Sequence, residues 1–338
     1  MSVVENPVPE AAAEELPLRD RLADRVFRAL SRGFAWLTIL LVFYIIVTIT
    51  LEAMPAIRKD GAEFLWGKVW DRNRDVYGIL PPIWGTMYTS LLALLVGTVF
   101  GLAVAVFLTE GFLSGFIFNI LKIFKVEFHP YWGKLPDGIE NVLKNLVQLL
   151  AAIPSVVYGL WGIYVVIPIL RDDVLARIGV SLSGPGILPA SLVLGIMVLP
   201  TIAAISQDAL QAVPPRLREA SYGLGATRWE TILAVILPTA TPGIFGAVIL
   251  AFGRALGETM ALAMLAGNTN VISLSVLSPA NTLAALLANN SGEASTVRDR
   301  SVLMYAALVL LAITLAVNML GALVLQRATA QITGGGKK

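Results

Sequence analysis

Residues 219–238 read E-A-S-Y-G-L-G-A-T-R-W-E-T-I-L-A-V-I-L-P, a polar, helix-forming segment that becomes apolar toward its end. Pro214 and Pro215 precede it. Because proline suits the first turn of a helix, this pair predicts that one helix stops and a new one starts there. Glu219 then falls in the first turn, where a negative charge complements the helix dipole.

The middle of this stretch predicts a turn. Gly223 and Gly225 can adopt backbone conformations that other residues avoid, which permits a sharp change of direction. A second short helix is expected to begin at Arg228, and Pro238 marks the entry into an apolar run. Residues 214–238 are therefore predicted to form a helix–turn–helix connector, which we call the connector below.

The composition of the whole chain indicates a membrane protein. Hydrophobic residues make up 57% of the sequence and charged residues 14%, against about 25% charged residues in soluble domains. A helix needs roughly 20 apolar residues to cross the hydrocarbon core of a bilayer. Six runs meet this requirement, so we predict an all-α polytopic membrane protein with six transmembrane helices. The predicted spans are 33–54, 83–109, 146–170, 187–210, 239–266 and 301–325.

Basic residues predict the orientation of these spans. An even number of spans puts both tails, residues 1–32 and 326–338, on the same side of a transmembrane domain at 33–325. Basic residues are more numerous on the side that holds the tails and the connector. In membrane proteins, lysine and arginine residues next to the spans concentrate on the cytoplasmic side. We therefore expect both termini and the connector in the cytoplasm. The clearest contribution comes from the arginines before the first span, Arg19, Arg21, Arg25, Arg28 and Arg32.

One apolar segment, residues 111–125, is too short to span a bilayer. Lys122 and Lys125 lie three residues apart and so share one face of a helix. This pattern favours an amphipathic helix lying in the membrane interface. The alternative is a re-entrant segment or an extended end of the second span.

Several functions are excluded by residues that the sequence lacks. The chain contains no cysteine, so thiol catalysis and disulfides are impossible. His129 is the only histidine, which makes a zinc site unexpected. No phosphate-binding G-x-x-x-x-G-K-[ST] motif occurs, so the chain is not expected to bind ATP itself. The net charge of +2 gives no reason to expect a nucleic-acid partner.

The fifth predicted span contains two charged residues, Arg254 and Glu258. Their spacing of four residues predicts that they share one helical face. Charges inside a membrane are costly, so the two are expected to pair and to face a bundle interior or a wet cavity. They form either a structural ion pair or an anion site, because a guanidinium donates two parallel hydrogen bonds to an oxyanion. Gly253 and Gly257 predict a close approach by another helix.

The third predicted span contains a proline, Pro154, which leaves a backbone carbonyl without its helical partner and kinks the helix. Ser155 and Tyr158 follow directly. Two interpretations are open for these side chains: they hydrogen-bond into the gap, or they line a translocation pathway.

With these residues in view, the connector resembles the "EAA" loop of ABC-importer permeases. The family pattern is Glu-Ala-Ala, three residues, Gly, nine residues, Ile, one residue and Leu-Pro. A serine replaces the third residue here and a valine replaces the isoleucine. The residues in register are Glu219, Ala220, Ser221, Gly225, Val235, Leu237 and Pro238.

Three further stretches are similar to the PstC-type permease family of bacterial phosphate ABC importers. They are Y-G-I-L-P-P-I-W-G-T-M-Y-T-S-L at 77–91, I-P-S-V-V-Y-G-L-W-G at 153–162 and G-R-A-L-G-E-T-M-A at 253–261. The resemblance implies a type I ABC-importer (MetI-like) permease in the bacterial inner membrane. It implies a non-catalytic subunit that forms a phosphate pathway. Arg254 and Glu258 match the charged pair of that family.

The resemblance also implies partners. They are a PstA-type second permease, a dimer of PstB-type ATPases that binds ATP and Mg, a PstS-type phosphate-binding protein outside the cell, and membrane lipid. Coupling to the ATPase would involve five connector residues, Glu219, Ala220, Ser221, Gly225 and Arg228.

Other functions stay open on the residues alone, because Arg254 by itself indicates only an anion. One alternative is an ABC permease for another oxyanion, such as sulfate or molybdate. A second is an ion-coupled secondary transporter, although Glu258 is the only carboxylate well inside a predicted span. A third is a signalling scaffold that reports phosphate status.

Overall fold

A computed structural model describes residues 18–110, 112 and 135–334 of the chain. Apart from Phe112, the predicted interfacial helix at 111–125 lies outside the described residues. The chain divides into two compact units, Met1–Leu51 and Glu52–Lys338, which are treated separately.

The first unit contains most of helix α1 (Leu18–Asp60). Its large apolar side chains, such as Phe34, Trp36 and Phe43, are exposed in the isolated chain. A helix with exposed apolar side chains is stable only in lipid or against another protein. This unit therefore has the surface of a membrane-spanning helix.

The second unit is built almost wholly of helices, because every backbone group inside a bilayer must find a hydrogen-bond partner within the protein. After α2 (Glu63–Trp66), a small antiparallel hairpin joins β1 (Trp70–Asp71) to β2 (Val76–Tyr77). The helices that follow are α3 (Leu80–Thr109), α4 (Leu135–Ala152), α5 (Ser155–Ile178), α6 (Ile187–Gln211), α7 (Pro215–Gly223), α8 (Arg228–Leu256), α9 (Met260–Leu265), α10 (Leu283–Ser291) and α11 (Val297–Gly334).

Six helices among the described residues are long and apolar enough to cross a membrane, which confirms the predicted number. Three predicted spans have the wrong boundaries. The first span runs over Arg25–Asp60 rather than 33–54. The third begins at Ser155, not at residue 146, because Pro154 has an extended backbone that ends α4. The fifth starts earlier, at Arg228, and ends at Leu256 rather than at residue 266.

The core of the second unit lies around α6, which packs extensively on α3 and also contacts α8. Small residues bring α3 and α6 together. A Cβ on Gly97 would lie 2.7 Å from Val198 Cγ2, and one on Gly195 would lie 3.1 Å from the Ala93 carbonyl oxygen. Helices in membranes associate through such close packing, because lipid provides no hydrophobic drive between them.

Charged side chains form ion pairs at the end of this unit that contains β1 and β2. Arg298 of α11 donates to Asp60 over 2.7 Å and to Asp75 over 2.9 Å. Lys59 also bonds Asp75. These hydrogen bonds lower the pKa of the Asp75 carboxyl below its ordinary value. The bond with Lys59 has the largest effect, and the bond with Arg298 has the next largest. The same end holds Phe64 stacked on Tyr305, with ring centroids 4.4 Å apart.

Gly85 on α3 provides a test of packing at this end. A Cβ there would collide with the Asn281 backbone carbonyl, so Gly85→Ala should lower the stability of the purified protein by about 1–3 kcal/mol, as overpacking does. Thermal unfolding in detergent measures the effect. The matched control is Gly246→Ala on α8, where the nearest side-chain atom, on Leu325, is 3.8 Å away. Equal melting temperatures for the two variants would contradict this account.

Candidate functional site

The first half of the connector is the exposed helix α7. It begins directly after Pro214, whose ψ of 131° is extended, as the proline pair predicts. Since α7 starts at Pro215, Glu219 lies in its second turn and not in the first turn, so the expected effect of its charge on the helix N-terminus is wrong. Glu219 and Ala220 face solvent.

The turn that follows depends on one glycine rather than two. Gly225 has φ of +86°, a left-handed conformation, whereas Gly223 is the last helical residue of α7. Only the prediction for Gly225 is confirmed. Thr227 then caps α8: its hydroxyl accepts from the Glu230 N–H, and the Glu230 carboxylate accepts from the Thr227 N–H over 2.7 Å. This reciprocal capping box stabilises the start of α8.

The connector presents apolar side chains away from the helix bundle. Leu217 is 42% exposed, Tyr222 45% and Leu224 90%. Together with Glu219 and Ala220, they form an outer surface on which a partner protein can pack. Arg228 is also exposed, and its guanidinium lies 4.7 Å from the centre of the Phe112 ring.

The inner side of α7 is attached to the bundle through an arginine that sequence reasoning missed. Arg218 donates to the Glu110 carboxylate over 2.6 Å and to the Leu210 carbonyl over 2.8 Å. Glu110 directly follows α3, and Leu210 lies in the last turn of α6. Only the opposite charges of Glu110, at the end of the second predicted span, and Arg218, in the connector, could have suggested this contact.

Arg254 and Glu258 do not share a helical face, so that prediction is wrong. Helix α8 ends at Leu256, and Glu258 lies in the break before α9, where its carboxylate accepts from the Ala261 N–H at 3.4 Å. Within the described part of the chain, the two side chains form no ion pair with each other. The interruption coincides with Gly257, at which a helix ends easily.

Arg254 occupies an unusual position for a charged residue. It lies in the last turn of a membrane-spanning helix and is exposed on the surface of the isolated chain. The neighbouring Gly253 packs on Asn318 of α11, whose side-chain oxygen would lie 2.8 Å from an added Cβ. The predicted close approach at Gly253 is therefore present, while Gly257 meets no other helix of the described ranges.

Of the two interpretations for Tyr158, the structure shows the first: its hydroxyl hydrogen-bonds into the gap that Pro154 leaves in the helix. Pro154 cannot donate to the carbonyl of Leu150, and the Tyr158 hydroxyl donates to it over 2.8 Å instead. Tyr158 is only 6% exposed, whereas Ser155 is half-buried. Tyr158 therefore joins the end of α4 to the start of α5.

Within the part of the chain that the structure describes, no group of three or more acidic or histidine side chains is arranged to hold a metal ion.

Comparison with known families and proteins relates this architecture to transport. The family described as "Binding-protein-dependent transport system inner membrane component" matches residues 134–330. The phosphate transport system permease protein PstC of Xylella fastidiosa is 34% identical over 324 residues, which are 92% of this chain and 93% of that protein. The PstC protein of Mesorhizobium japonicum is 33% identical, over 98% of this chain and 99% of its own length.

Solved structures share the fold at lower sequence identity. The MetNI methionine ABC transporter in an inward-facing conformation has a subunit that aligns with a TM-score of 0.52 and 20% identity, over 74% of this chain and 95% of that chain. A bacterial alginate ABC transporter, in complex with its alginate pentasaccharide-bound periplasmic protein, aligns with a TM-score of 0.52 and 15% identity, over 88% and 96% of the two chains.

Proposed function

Because this chain belongs to the family of binding-protein-dependent transport system inner membrane components, we propose that it is a permease subunit of an ATP-driven phosphate importer. Membership establishes a multi-pass protein of the inner membrane with an ABC-permease fold, as predicted. The observation that supports an anionic substrate is the position of Arg254, whose guanidinium is exposed within a membrane-spanning helix. The identity with PstC proteins supports phosphate as the anion.

Arg254 is proposed to contact the anion. A guanidinium in hydrocarbon is costly unless it faces a cavity or another protein, so the exposed side of α8 would face a pathway shared with a second permease. The planar guanidinium suits phosphate oxygens because it donates two parallel hydrogen bonds. Glu258 would act nearby, at the break between α8 and α9. Ser155 would contribute to the pathway, while Tyr158 would hold the α4–α5 break beside it.

The connector is proposed to receive motion from an ATPase dimer. Glu219, Ala220, Gly225 and Arg228 are exposed, as a docking surface requires, and Ser221 supports them from the inner side. This proposal puts the connector and both termini in the cytoplasm. ATP and Mg would be bound by the ATPase, and this chain would have no catalytic role.

Helix α8 supplies a direct connection between the two proposed sites. It runs without interruption from Arg228 to Leu256. At 1.5 Å per residue, its 29 residues extend over about 40 Å. A movement of the connector would thus reach Arg254 through one continuous helix, and alternating access would follow from rocking of the helices around the pathway.

Substrate competition tests the proposal. The complete complex, with the second permease, the ATPase and the binding protein, is expected to accumulate labelled phosphate in proteoliposomes only when ATP is supplied to the ATPase side. Excess sulfate or molybdate should leave this uptake unchanged. Competition by either anion would favour the other-oxyanion alternative, and transport by this chain alone without ATP would favour a secondary transporter.

A further inference from the structure

Helix α7 lacks the apolar anchor that normally fixes a helix to its protein. None of its residues is fully buried, and its two largest apolar side chains, Leu217 and Tyr222, are more than 40% exposed. Most helical stability in proteins comes from burial of an apolar face. Polar contacts must therefore determine where α7 lies on the bundle.

The two half-buried side chains of α7 are both hydrogen-bonded. Arg218 and Ser221 are three residues apart and so share one face of the helix. The Ser221 hydroxyl lies 2.9 Å from the Thr231 hydroxyl, which connects α7 to the start of α8. Arg218 connects α7 to two other spans, through Glu110 after α3 and Leu210 in α6.

The Arg218–Glu110 pair is shielded from solvent. The Arg218 side chain is 22% exposed and that of Glu110 only 5%. Solvent screens such a pair much less than an exposed one, and removal of one partner leaves the other charge buried without compensation. The second bond of Arg218 reaches a carbonyl in the last turn of α6, where helical carbonyls have incomplete partners of their own.

From this geometry we infer that Arg218 is a positioning residue that ties α7 to the ends of α3 and α6, so that a force on α7 moves these spans together. The inference rests on the proposed function, because it concerns how movement of the ATPase would reach the membrane. Without Arg218, the described contacts of α7 would be those with the first turns of α8, including the hydroxyl contact to Thr231, besides the covalent connections. The ATPase could then move α7 without moving α3 and α6.

The test compares Arg218→Met, Glu110→Gln and Arg218→Lys in the complete complex reconstituted in proteoliposomes. Phosphate moved per ATP hydrolysed is measured together with the amount of ATPase that co-purifies. We expect normal co-purification and a fall in phosphate per ATP of about fivefold for the first two variants, within the range of mutations that weaken coupling between sites. Arg218→Lys retains the charge and should keep most of the coupling. Arg218→Met and Glu110→Gln remove the same contact. A variant with both substitutions should therefore move as much phosphate per ATP as Arg218→Met alone.

Arg171→Met is the matched control. Arg171 also pairs with an aspartate, Asp172, but both side chains are at least half exposed. Exposed ion pairs contribute little to stability. This variant should therefore move as much phosphate per ATP as the wild type.

A second measurement does not depend on transport. The chain has no cysteine, so spin labels at Ala103→Cys on α3 and Tyr222→Cys on α7 report the distance between these helices alone. In the Arg218→Met and Glu110→Gln backgrounds this distance distribution should broaden, and with Arg171→Met it should not.

Unchanged distances together with wild-type coupling in both variants would overturn the role of Arg218. If the wild-type complex moved no phosphate with ATP, the proposed function would fail, while the label distances would still decide whether Arg218 positions α7. If Arg218→Met fails to assemble, Glu110→Gln decides, because this change preserves the shape of the side chain.

Discussion

Arg254→Gln should reduce ATP-driven phosphate uptake by about 100-fold, since the loss of a buried, charge-assisted contact typically costs on the order of 2–5 kcal/mol. Glutamine retains hydrogen-bonding capacity but lacks both the charge and the planar pair of donors. Because Arg254 is exposed in the isolated chain, the substitution removes no internal packing, and the protein should reach the membrane in normal amounts. Uptake of labelled phosphate, normalised to the amount of complex, measures the effect.

Two comparisons separate charge from geometry at this position. Arg254→Lys retains the positive charge but loses the parallel donors, so its uptake should lie between those of wild type and Arg254→Gln. Arg177→Gln removes an exposed arginine at the end of α5 and should have no effect. Wild-type uptake by Arg254→Gln, with a normal amount of complex, would exclude Arg254 from the phosphate pathway.

Gly225→Val should uncouple the ATPase from transport. The residue has φ of +86°, which a β-branched side chain adopts only with strain. No atom of the described residues lies within 4 Å of an added Cβ, so the cost comes from the backbone and not from a collision. At about 1–2 kcal/mol for a left-handed residue, the turn should open, α7 should shift relative to α8, and phosphate uptake should fall about tenfold.

Gly223→Val is the matched control for this strain. Gly223 is helical and also has open space around it, so valine is tolerated there and uptake should stay close to wild type. Gly225→Asn should keep most of the activity, because asparagine tolerates the left-handed region better than other non-glycine residues. If the two valine variants were equally impaired, the left-handed turn would not be the feature that matters.

Much of the architecture follows from the sequence because it depends on local properties. Long apolar runs must become helices in a bilayer, where no water satisfies the backbone, and this determines six spans without knowledge of any contact. Pro214 and Gly225 likewise act within a few residues of themselves, so the start of α7 and the turn at Gly225 are predictable from the sequence. The second helix of the connector is longer than the predicted short helix, because it continues to Leu256.

The ends of helices at the candidate site were less predictable. Apolar character continues through residues 257–266, so hydropathy extends the fifth span beyond Leu256. In the structure α8 instead ends at Leu256, beside Gly257, and this break separates Glu258 from the face of Arg254. Similarly, α4 stops before Pro154 although the residues on both sides are apolar.

The sequence by itself determined the number of spans, the start of α7, the turn at Gly225 and the presence of a charged residue within the membrane, since hydropathy, proline and glycine act locally. Only the tertiary structure decided that Arg254 is exposed rather than paired with Glu258, and that Arg218 holds α7 on Glu110 and Leu210. The Arg218–Glu110 contact joins residues 108 positions apart. Such a contact depends on how α3 and α6 pack together, and no local pattern specifies that arrangement.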